Sequence, residues 1–132
     1  TGTSLDVTGA LTGSIKPYDN GNDLNDTSTP HTLIAAELRR TIIHNNGDGA
    51  DSTYTLPAAT VGMCVMFFNT SDTYDMIIDP AADEFIHYST ATADDWITLE
   101  DVRASFISLV CFVAGHWEVV GYGGSLTITA KP

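Results

Sequence analysis

Four imidazoles, two thiols and seventeen carboxylates are the groups in this 132-residue chain most able to do chemistry. Their spacing gives them few partners. His31, His44, His87 and His116 are scattered, with no close pair at metal-ligand spacing. A zinc site needs about four such ligands brought together. Asp48 and Asp51, beside Asn45 and Asn46, resemble a calcium loop in composition alone, because the Asp-x-Asp-x-Asp-Gly pattern closed by a Glu is missing. Asp72, Asp75, Asp79, Asp83, Asp94 and Asp95 add carboxylates on loops and read as a solvated acidic surface. Symmetry between copies is what could gather such groups around one ion. A glycosidase needs two carboxylates across a cleft, one of them with a raised pKa. No pair is marked that way, and no serine sits in a nucleophile elbow. The expectation is a protein that is not an enzyme, with no catalytic residue, no metal ligand and no cofactor.

The remaining candidates are sulfur and aromatic rings. Cys64 and Cys111 each lie inside an apolar run and read as buried free thiols rather than a bridge. Tyr18, Tyr74, Tyr88, Tyr122, Trp96 and Trp117 could stack on sugars. Trp117, followed closely by Val119 and Val120, reads as core or interface. Trp96, after Asp94 and Asp95, reads as an exposed ring. Trp96 and Tyr88 are the candidate ligand contacts, with a surface glycan as the ligand.

The elements that must position these groups centre on residues 53–69. Tyr54 and Leu56 alternate with Thr53 and Thr55, the period of a half-buried strand. Pro57 ends that strand or makes it an edge, and Gly62 suits a positive φ. Residues 63–68 are apolar on both faces and predict a strand covered on both sides. Further strands are expected at 32–34, 41–44, 75–79, 84–89, 96–99, 105–113, 116–121 and 125–129, with one helical turn over 35–38. Turn chemistry separates them. The prediction is an all-β domain over 31–132, a small antiparallel β-sandwich or jelly-roll-like barrel.

Residues 1–30 differ. Leu5, Val7, Leu11 and Ile15 are single apolar residues in a Thr/Gly/Ser-rich background, too few to bury a core. They predict an extended arm that needs a partner surface, joined by a linker rich in Asn, Asp and Gly. The chain begins at Thr1 and shows no signal peptide, so it reads as a processed chain or a fragment. Five Lys+Arg against 17 Asp+Glu give a net charge of -12. Phosphate binding needs clustered cations, so neither nucleic acid nor an anionic membrane surface is an expected partner. No apolar run approaches the ~20 residues of a membrane-spanning helix.

An ordered set of segments carries a resemblance. AAELRRTIIHNNG, YTLPAATVGMCVMFF, IIDPAADEFIHY and ISLVCFVAGHWEVVGYGG follow one another along the chain. The set resembles a module of structural proteins in tailed bacteriophages: fibre, tail-tip and head-decoration proteins. The matching positions are Leu56, Pro57, Ala58, Ala59 and Gly62, then Ile78, Pro80, Asp83 and Ile86, then Leu109, Trp117, Val119, Gly121 and Gly124. Arg40 stands where the family often has Gly, and a strand at 126–129 is added. The resemblance spans residues 32–124 and implies a β-sandwich that assembles, usually as a trimer, on the virion surface. It implies that the arm docks on another virion protein such as the major capsid protein.

Overall fold

The computed structural model describes residues 30–38, 41–45 and 49–131. The arm residues Leu5, Val7, Leu11 and Ile15, nearly all of the linker, and Asn46 and Asp48 lie outside the described residues. Ten strands and one 3-10 turn, Ala35–Leu38, make up the rest. The strands are β1 His31–Thr32, β2 Thr41–His44, β3 Ser52–Thr55, β4 Cys64–Phe68, β5 Met76–Asp79, β6 Phe85–His87, β7 Trp96–Leu99, β8 Phe106–Val113, β9 His116–Gly123 and β10 Leu126–Thr129.

They form two five-stranded sheets, ordered β1-β3-β5-β7-β10 and β2-β4-β8-β9-β6. The all-β sandwich expected from the sequence is what forms. Its sheets are mixed rather than antiparallel throughout, for a reason visible in the connections. From β1 to β8 the chain changes sheet at every strand. Parallel neighbours need a crossover, and for three of the four parallel pairs among the described strands it is a single strand of the opposite sheet. So β1–β3, β3–β5 and β2–β4 pair in parallel. β8 and β9 break the alternation as an antiparallel hairpin within one sheet. Pro57 is the kind of residue that enforces such a crossing. It cannot donate to a ladder, so β3 stops at Thr55 and the chain passes over to β4.

The core lies between the sheets. One contributes Ile43, Val65, Phe67, Ile107, Leu109 and Trp117; the other contributes Tyr54, Met76, Ile78, Ile97 and Leu99. The rings of Tyr54 and Phe67 meet across the gap, with centroids 6.0 Å apart. Burying side chains of this size stabilises by about 1.5–3 kcal/mol each.

Two polar side chains fasten the ends of the sandwich. Asn69, fully buried after β4, donates from Nδ2 to the carbonyls of Tyr74 at 3.0 Å, Leu99 at 3.1 Å and Glu100 at 2.8 Å. Its Oδ1 accepts from the Ser71 amide at 2.8 Å. Glu84 accepts the Ala59 amide with both carboxylate oxygens, at 2.9 and 3.0 Å. That ties the β3–β4 crossover to the start of β6. Neither role was legible in the sequence, where Asn69 belonged to a turn cluster and Glu84 to a strand.

Candidate functional site

Strand alternation sends Val65, Phe67, Ile107, Leu109 and Trp117 into the core. The same alternation puts Met66, Phe68, Phe106 and Val110 on the outer face of the β2-β4-β8-β9-β6 sheet. Ile42 joins them beside Met66, and Val113 beside His116. Ile42 is 53% exposed and Val113 58%. No strand of the described chain lies over this face. The sequence predicted cover on both sides of residues 63–68; the structure provides it on one. The reason is that all ten described strands go into two sheets, which share a single buried layer.

Cross-strand registers set the face out in rows. Ile42, Met66, Ser108 and Gly121 lie side by side, as do His44, Phe68, Phe106 and Gly123. The Phe106 ring lies over Gly123, where a Cβ would come within 2.6 Å of Cε1. β2, β4 and β8 contain no Asp, Glu, Lys or Arg.

A different chemistry borders this face. β6 pairs in parallel with β9, so Phe85 lies opposite His116 and His87 opposite Glu118. His87 Nε2 and His116 Nδ1 are 2.8 Å apart. Their ring planes differ by 4° and their centroids are 5.1 Å apart. A nitrogen separation so much shorter than the centroid separation places the rings edge to edge, not face to face. Phe85 lies nearly parallel to both. Glu118 Oε1 is 3.9 Å from His87 Nε2. His87 and His116 are scattered in the sequence, as expected, and meet only in the fold. They are far apart in the chain, and a non-local parallel pairing brings them together. The pair is not a chelate, because its two nitrogens aim at each other rather than at a common third point. No cluster of three or more metal-binding side chains occurs among the described residues.

The two sequence-predicted ligand contacts are not brought together. Tyr88 lines an open cleft of about 390 Å³ with His87, Ser89, Val119 and Tyr122. Its ring meets Tyr122 edge-on at 5.0 Å. Trp96 sits on β7 in the other sheet and is half-buried, not an exposed ring. Its indole N–H is buried and finds no acceptor among the described residues. Trp117 is fully buried, as expected of core.

The cysteines also part company. Cys111 is buried, and desolvation pushes its thiol above the usual range; its Sγ lies 3.2 Å from the Val113 carbonyl. Cys64 is exposed, contrary to the expectation of two buried thiols, because it occupies an outward position of β4. Both are free. Among the carboxylates, Asp79 is buried and paired with Lys131 at 2.9 Å. Asp75 is held above the ordinary carboxylate range, first by desolvation and next by the charge of Asp51.

No family model matches this chain, and no curated protein does.

Proposed function

We propose that this chain is a non-enzymatic structural module of a bacteriophage particle, of the capsid-decoration or fibre type. It assembles on the virion surface as a homo-oligomer, a trimer. Residues 1–16 dock it to another virion protein such as the major capsid protein, and it stabilises or extends the particle surface. The observation that carries this reading is where the resemblance residues sit. Leu56, Ile78, Ile86, Leu109 and Trp117 are all core. Gly62, Asp83 and Gly124 take left-handed backbone at turns, with φ of 94°, 63° and 83°. The positions that carry the resemblance are thus parts of a frame, not of a reacting site. A frame with an outer face that no described strand covers suits a protein whose work is packing against neighbours. The acidic exterior is consistent with many copies held close together without clumping.

An antibody raised against the purified chain should decorate intact particles of the phage that encodes it, read by immunogold electron microscopy. Labelling confined to lysed host material contradicts the proposal.

The alternative reading, a receptor- or glycan-binding tip of a phage fibre, draws on the Tyr88–Tyr122 cleft. Aromatic rings at an open cleft offer stacking surface to a sugar. Binding on a glycan array that is lost in Tyr88→Ala supports it. No retained glycan removes it.

A further inference from the structure

We infer that the outer face formed by β2, β4 and β8 is the surface on which a second copy of this chain packs. The inference rests on the assembly reading above and gives it a place on the molecule.

A sheet with one wet face normally alternates apolar and polar residues. β4 and β8 do not. Their inward set is core, and their outward set includes Met66, Phe68, Phe106 and Val110, with Ser108 as the polar exception. Six apolar side chains in adjoining positions, counting Ile42 and Val113, make a contiguous patch of the kind that marks an interface. The patch has relief. Ser108 and Gly121 lie side by side, and a Cβ on Gly121 would meet only Ser108 Cβ, at 3.9 Å. Ser108 and Gly121 thus add little side-chain bulk to the row that holds Met66.

Charge selects the partner. A cationic protein would be drawn to the carboxylates, and these lie off β2, β4 and β8, at Asp72, Asp83, Asp94, Asp95 and Asp101 among others, with Glu118 of β9 bordering the face opposite Val110. A second copy brings the same net charge of -12 and is repelled wherever carboxylates meet. It can approach closely where neither copy presents a carboxylate. The strands β2, β4 and β8 offer such a face, and it is apolar, so copies arranged about a common axis can bury it against one another.

The size suits the core of an interface. β2, β4 and β8 have 4, 5 and 8 residues. At about 3.3 Å per residue and ~4.8 Å between strands, their footprint is roughly 270 Å². That is about a third of the ~800 Å² each partner gives a standard interface, whose apolar core is ringed by a polar rim.

The experiment is light scattering on size-exclusion chromatography over a hundredfold concentration range. It compares the full chain with Ile42→Glu, Met66→Glu and Thr127→Glu. Thr127 is exposed on β10 at the far edge of the other sheet and serves as the control. The full chain and Thr127→Glu are expected to form the same oligomer, and both face variants to associate at least about tenfold more weakly. Ile42 is already half exposed, so its variant tests the face even if Met66→Glu fails to fold, which thermal melting will show. An oligomer that survives Ile42→Glu unchanged overturns this surface and leaves the assembly reading standing. A full chain that stays monomeric throughout overturns both.

Discussion

His87 Nε2 and His116 Nδ1 meet across the β6–β9 ladder at 2.8 Å, with their rings almost in one plane. A neutral imidazole carries its proton on one nitrogen and a lone pair on the other. If His87 donates from Nε2, then His116 accepts at Nδ1 and holds its own proton on Nε2. If His116 donates from Nδ1, then His87 holds its proton on Nδ1. The two rings must therefore share one tautomer. Glu118 Oε1, 3.9 Å from His87 Nε2, favours a proton on that nitrogen. At pH 8, nitrogen-15 NMR is expected to show both rings as the Nε2–H form. One ring in each form contradicts the bond. Zinc added at equimolar concentration should leave both spectra unchanged, since the nitrogens do not converge.

Two of the resemblance glycines, Gly62 and Gly124, differ in what a side chain would meet. Gly124 has φ 83°, and a Cβ there would come within 2.6 Å of the Ser105 Cα. Gly62 has φ 94° with nothing within 4 Å. Gly62→Ala should cost about 1 kcal/mol, the conformational term alone. Gly124→Ala adds a collision with backbone and should cost at least twice that. Urea unfolding of the two variants makes the comparison. Equal losses would mean that the Ser105 contact is not tight. Ser105 cannot easily yield, because its Oγ accepts the Ser125 amide at 3.0 Å and its carbonyl accepts the Asn69 amide at 2.8 Å.

The contrast between local and non-local features explains what the sequence reveals. Strand runs, the helical turn at 35–38, the core position of Trp117 and the turn at Gly62 follow from periodicity and backbone sterics, which are local. The change of sheet at each connection does not. Tyr54 and Phe67 read as neighbouring strands of a motif, and nothing in their spacing says that they face each other from opposite sheets. Asn69 shows the same limit. A turn-forming Asn and a buried Asn holding three carbonyls have one sequence signature. Trp96 read as exposed from its acidic neighbours Asp94 and Asp95, yet its ring is half-buried, because tertiary packing overrides flanking charge. The doubly apolar run at 63–68 was legible. Its inward side became core, and its outward side has no strand over it among the described residues.

Asp75 gives a pH dependence of definite sign. Its folded-state pKa is raised, by desolvation and then by Asp51, so ionising it costs stability. That cost is present above the folded pKa and disappears as pH falls below the unfolded value of 3.8. Asp75→Asn removes the charge and keeps a hydrogen-bonding oxygen. The variant should melt slightly higher than the parent at pH 7, with the gap closing toward pH 3. A variant that melts lower at pH 7 would mean that the carboxylate is held by favourable contacts instead.

Whether a second copy covers Met66 is best read by oxidative footprinting with mass spectrometry, at dilute and at concentrated protein. Met66 lies at the centre of the proposed contact, and a thioether is oxidised where solvent reaches it. Tyr122, 58% exposed beside the cleft, serves as the reference outside the contact. The expected result is Met66 labelling that falls several-fold as concentration rises while Tyr122 labelling holds. Met66 labelling unchanged at concentrations where the chain is oligomeric would show that the copies meet elsewhere.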